Sequence, residues 1–153
     1  MIEIVAASGP TLAHWVMLDP EALAGCTILL AADDMFTGEY VRECLCGSGA
    51  RVIGPARTVR QLAELAEVGE EIDCSLISLT LAGQDTTEIV AALHLRPAPV
   101  VVILRRGQRV DGRLAALPSL SSPFGGFQAV DEVVVALRQV SNRPGGSSIS
   151  EPT

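Results

Sequence analysis

Three groups of residues stand where side-chain chemistry is conceivable. Asp33 and Asp34 close the run TILLAADD, and Asp85 precedes another apolar pattern of helical period. Ser78 ends the run IDCSLIS, and four thiols, Cys26, Cys44, Cys46 and Cys74, are the other candidate nucleophiles. Arg105, Arg106, Arg109 and Arg113 gather four of the chain's eleven basic residues into one short stretch. Each group implies a chemistry that the spacing can test.

Acyl transfer of the Ser-His-Asp type needs an activated hydroxyl on a strained elbow such as G-x-S-x-G. No such elbow occurs, Ser78 and His94 lie a whole helix apart, and no His or Lys neighbours Ser78 to take its proton. Cys44 and Cys46, two apart on a helix, face different directions, and no C-x-x-C or nearby His completes a tetrahedral site. The thiols are expected to be buried or idle, with Cys26 and Cys74 near each other at the starts of neighbouring strands. Asp33 reads as the cap of a helix that begins near Met35, and Asp85 as the cap of a later one. His94 suits the negative pole at a helix end, and His14 has no evident partner. No catalytic residue, metal ligand set or cofactor motif is expected, so the chain reads as a non-enzyme. The arginine cluster is either a solvated loop or a surface that docks an acidic partner.

The elements that position these residues alternate. TILLAAD, residues 27–33, reads as a buried strand and Phe36 to Cys46 as a helix stopped by Gly47 and Gly49. Arg51 to Ile53 reads as a short strand ended by Gly54-Pro55, and a helix follows from Thr58 with Leu62, Leu65, Ala66 and Val68 inward and Gly69 at its end. Ile72 to Leu79 is a strand, AGQD a loop, and Thr86 to Leu93 a helix. VVVIL at 100–104 has the continuous aliphatic pattern of a central parallel strand. A distorted element over 108–117, a brief strand at 119–121 and a helix over 131–140 complete the pattern. Such alternation predicts an α/β doubly wound five-stranded parallel sheet with helices on both faces. Its default site is the crevice at the C-terminal strand ends, where Asp33, Ser78, Leu104 and Ser122 fall.

Composition narrows the field further. The 153 residues suit one domain, expected over 27–140, with an N-terminal extension over 1–26 packed on the domain or a partner and a disordered tail over 141–153. A net charge of −7 and 3% aromatic residues argue against nucleic acid as partner. No run reaches the roughly 18 apolar residues of a membrane span, and the first residues lack a basic signal region, so a cytoplasmic location is expected.

Taken in order, TILLAADDMF, GARVIGPARTVRQLAELA, IDCSLISLTLAGQD, APVVVILRRG and LSSPF resemble the five strand-end blocks of the response-regulator receiver domain, over about residues 27–140. The resemblance implies a flavodoxin-like sheet of order 2-1-3-4-5 and a role in bacterial two-component signalling. It also implies a phosphoacceptor pocket: an acidic pair and an acceptor Asp that hold Mg²⁺, a hydroxyl ending the fourth strand, an aromatic switch, and a Lys before Pro. In this chain the corresponding positions are Ala32 and Asp33, or Asp33 and Asp34 with a one-residue gap, then Ser78, Leu104, Ser119 and Ser122. The expectation is a degenerate pocket, with Leu104 filling part of it. By the same resemblance the chain is a pseudo-receiver that binds a histidine kinase, phosphotransfer protein or output module without being phosphorylated, through Arg105, Arg106, Arg109 and Arg113. Alternatives are a sensor of an anionic small molecule or nucleotide in the crevice, and a structural homodimer.

Overall fold

Residues 21–67, 71–110 and 112–141 are described by the computed structural model. β1 is Thr27–Ala31, β2 Arg51–Ala56, β3 Cys74–Ser78, β6 Val100–Leu104 and β7 Ser119–Ser121, and these form one five-stranded sheet in the order β2-β1-β3-β6-β7. Every neighbouring pair in it is parallel. The helices are α1 (Met35–Gly47), α2 (Val59–Ala66), α3 (Thr87–His94) and α4 (Gly126–Ser141). The architecture is the doubly wound one that the apolar runs call for. All five residues of β3 and of β6 are buried, because helices cover both faces of the sheet.

The strand period of two divides the interior into two apolar clusters. Ile28, Leu30, Leu76, Val101 and Ile103 face α1 and α4, where Val41, Leu45 and Val133 meet them. Leu29, Ala31, Ile77, Val102 and Leu104 face the other way, toward Leu62 of α2 and Val90 of α3. Leu23, in the turn before β1, is fully buried in the first cluster. Residues 1–20 and 142–153 lie outside the described residues, as do Val68 and Gly69, so the ends of the chain and the last turn expected for the second helix are not described.

Several boundaries differ from the sequence reading for physical reasons. β1 stops at Ala31, two residues early, because the chain turns there toward α1. β2 runs on through Gly54-Pro55 to Ala56: pairing passes from Leu29↔Ile53 to Ala31↔Ala56, which leaves one extra residue on the edge strand as a bulge. Gly54 has φ +114°, and a Cβ there would meet the carbonyl oxygen of Leu30, so only glycine fits. AGQD is not simply a loop, since Gln84–Asp85 (β5) pairs antiparallel with Thr80–Leu81 (β4) around the Ala82-Gly83 turn. Residues 112–114 form only a 3₁₀ turn. α4 begins five residues before the expected Asp131, because Gly126 permits close packing on α1: a Cβ would meet Cys44 Sγ, and the Gly126 N–H donates to Tyr40 Oη at 3.1 Å.

Candidate functional site

The order β2-β1-β3 means that the chain leaves β1 outward and returns inward to β3, which opens a crevice at their C-terminal ends. Ala32, Asp33, Asp34, Ser78 and Ser122 all line one small cavity there, of about 70 Å³. Thr37, Thr80, Arg105 and Gln108 join them. The sequence reading therefore assembled five of its seven pocket positions in one place. The other two stand elsewhere. Leu104 is buried in the cluster facing α2 and α3, so it does not fill the crevice, and Ser119 is exposed at the start of β7.

The helix cap expected of Asp33 falls to its neighbour. Asp34, not Asp33, caps α1: its carboxylate accepts from the N–H groups of Phe36 and Thr37 at 3.4 and 3.2 Å and from Thr37 Oγ1 at 2.7 Å. The Thr37 hydroxyl, helped by the Thr37 and Phe36 amides, holds the Asp34 carboxyl below the usual carboxylate range. Asp34→Ala is expected to cost about 0.5–1 kcal/mol, the low end for a cap because the group is exposed. A depressed folded-state pKa stabilises above the ordinary range near 4 and loses that contribution as pH falls through the lowered value. Urea midpoints of parent and variant should therefore differ at pH 7 and converge in strong acid.

Asp33 instead ties three segments together. Its backbone N–H donates to Ser78 Oγ at 3.2 Å, its Oδ1 accepts from the Ala82 N–H at 3.0 Å, and its Oδ2 lies 4.0 Å from Arg105 Nη1. Ala82 presents that amide from a positive φ of +50° at the tip of the β4–β5 hairpin. Arg105 is itself held in a turn, since its N–H donates to Gln108 Oε1 at 2.9 Å and its carbonyl accepts from the Gln108 N–H at 2.9 Å. Arg105 thus belongs to the crevice as well as to the basic cluster. Its place directly after a buried parallel strand was the available signal. Arg106 and Arg109 are exposed on the same segment, and Arg113 lies in the 3₁₀ turn with its side chain outside the described residues.

Ser78 is 5% exposed at the end of β3. Its carbonyl accepts from Thr86 Oγ1 at 2.7 Å, and the same hydroxyl reaches the Leu79 carbonyl at 2.9 Å. Thr86, fully buried, stands at the N-cap of α3, while Asp85 accepts from the Thr87 N–H and hydroxyl at 2.8 and 2.5 Å. Those bonds hold Asp85 below the usual carboxylate range and leave it outside the cavity. Thr80 Oγ1, buried against the cavity, has no hydrogen-bond partner.

Magnesium is the ion this fold family implies, and the donors present do not suit it. A hard divalent cation takes several oxygen ligands, typically including carboxylates. Here Asp33 is bonded to Ala82 and faces a guanidinium, Asp34 is committed to α1, and Ser78 offers a neutral hydroxyl. Among the described residues no three His, Cys, Asp or Glu side chains form a metal-binding group. Burial pushes Cys74 up to about 12, and burial likewise raises Cys26 and Cys44. All four are free.

Comparison with known proteins bears on the fold. No family model matches the chain and no curated protein matches it. Solved structures do. A response regulator receiver protein from Sinorhizobium medicae WSM419 is 20% identical with a TM-score of 0.63, covering 75% of this chain and 96% of its own. SdrG from Sphingomonas melonis Fr1 is 27% identical with a TM-score of 0.63, covering 76% and 98%. A CheY-like receiver domain protein from Methanospirillum hungatei JF-1 is 17% identical with a TM-score of 0.63, covering 76% and 96%. The chain has the fold of response-regulator receiver domains.

Proposed function

We propose that this chain is a pseudo-receiver, which regulates two-component signalling by binding proteins and not by accepting a phosphoryl group. The receiver fold supports the signalling role. The observation that carries the finer reading is Ser78: the position that ends the central strand β3, at the crevice, holds a buried neutral hydroxyl already accepting a hydrogen bond from the Asp33 amide. Among the described residues that line the cavity no His or Lys stands ready to take its proton, and the Asp33 carboxylate is engaged by Ala82 and Arg105. Among the described residues that line the cavity, Arg105 is the one cation that could neutralise the charge gathering on a transferring phosphoryl group.

Binding would fall to the exposed Arg105, Arg106 and Arg109, whose positive charge complements an acidic patch on a kinase, phosphotransfer protein or output module. The alternative of a nucleotide or metabolite sensor finds little support, because a cavity of about 70 Å³ is far below the roughly 300–1,000 Å³ of small-molecule sites. Among the described residues no helix is long and apolar enough to cross a membrane.

Incubation with acetyl phosphate in Mg²⁺, followed by intact mass measurement, tests the reading. The expected result is a mass unchanged from the untreated chain. A phosphoryl adduct that maps to the crevice would end the proposal.

A further inference from the structure

A larger hollow lies at the opposite end of the sheet, where the strands begin. A groove of about 580 Å³ opens between Cys26 before β1, Asp73 before β3, Pro99 before β6 and the last turns of α4. Leu93, Leu137 and Val140 give it an apolar lining. Leu95, at the end of α3 beside the groove residue Arg96, is 86% exposed. A groove of this size with a largely apolar lining, rimmed by Glu71, Asp73 and Arg96, marks a surface that takes an occupant.

The chain itself holds a segment of apolar composition outside the described residues. Residues 1–20 carry Ile2, Ile4, Val5 and the run Trp15-Val16-Met17-Leu18, with no Lys or Arg among them. They join the described residues at Glu21, next to Leu23, which is fully buried, and only five residues before Cys26, which lines the groove. Trp15 to Leu18 stand three to six residues before Glu21, a reach of roughly 10–20 Å along an extended chain. The other stretches fit poorly: residues 68–70 hold one large apolar side chain, and 142–153 hold a single Ile among Ser, Gly and Pro.

We propose that residues 1–20 occupy this groove, with the Trp15–Leu18 run covering Cys26, Leu137 and Val140. The inference rests on the groove and the composition of the segment, and stands apart from the fate of the phosphoacceptor pocket.

Trp15 is the chain's one tryptophan, so fluorescence reports on it alone. In the full chain its emission should be that of a shielded indole, resistant to acrylamide and independent of protein concentration. Val140→Glu, at the last turn of α4, should shift that emission to the red. As a second reading, mass-mapped alkylation of Cys26 by iodoacetamide should run about tenfold faster in Trp15→Ser than in the parent, since uncovering a large apolar contact is worth at least one decade in an equilibrium. A solvent-exposed Trp15 in the parent overturns the proposal, as does an unchanged rate at Cys26. Shielding that survives Val140→Glu would place the segment on another face, and shielding lost on dilution would give the groove to a second copy. Either result defeats it.

Discussion

Ser78→Asp is expected to lose about 3 kcal/mol of stability at neutral pH in metal-free buffer and to regain part of it on addition of Mg²⁺. The site is 5% exposed and adjoins Asp33, so the substitution buries a second carboxylate beside an existing one. Taking a charge from water costs several kcal/mol unless it is paired. Arg105 is the cation at hand, and it is exposed and already shared with Asp33 at 4.0 Å. The sign of the pH dependence follows. Burial and a like-charged neighbour raise the folded-state pKa of the new carboxyl, so the variant is closest to the parent in acid and falls behind as pH rises through that raised value. A divalent ion bound only by the folded variant would stabilise it by mass action, about 2.7 kcal/mol at a hundredfold excess over Kd. Urea unfolding of parent and variant, with EDTA and then with Mg²⁺, reads all of this. A variant as stable as the parent in EDTA and indifferent to Mg²⁺ would show that Ser78 does not face the crevice.

Gly54→Ala should be the most damaging small substitution in the sheet, at about 3–5 kcal/mol. Two costs add. An L residue at φ +114° is strained by about 1–3 kcal/mol, and the new Cβ is driven against the Leu30 carbonyl, a backbone atom of central β1 that no rotamer change can move. Gly25→Ala is the matched control, because its φ of +81° carries the strain but nothing lies within 4 Å of the new methyl. It should cost only about 1–2 kcal/mol. Thermal unfolding of the two side by side gives the check: equal losses would mean that the bulge of β2 does not bring Gly54 onto Leu30.

These two glycines bear on what could be read from residues alone. The five buried aliphatics of β6 and the apolar run of β3 announce parallel strands covered on both faces, and their order in the sheet follows from right-handed crossovers. Gly54-Pro55, by contrast, reads as a terminator because local propensity knows nothing of an edge strand, where a bulge admits a glycine and a residue without an N–H. The early start of α4 was equally hidden, because it rests on the close approach of Cys44 and Tyr40, which makes Gly126 the packing point of α4 on α1.

In the crevice, residue types were legible and roles were not. Which of two adjacent aspartates caps α1 depends on the residue at which β1 turns. Asp33 is claimed by Ala82, 49 residues away, and by Arg105, neither of which leaves a trace in local pattern. Leu104 was misplaced for a simpler reason. It shares the face of Val100 and Val102, so the alternation along β6 points it at α2 and α3.

The triple engagement of Asp33 also sets the terms on which any visitor enters. A cation arriving from solution competes for the Asp33 carboxylate with an amide and a guanidinium that the same polypeptide presents at effective concentrations of roughly millimolar or more. At this corner the molecule serves as its own ligand, and occupancy by anything else begins with an eviction.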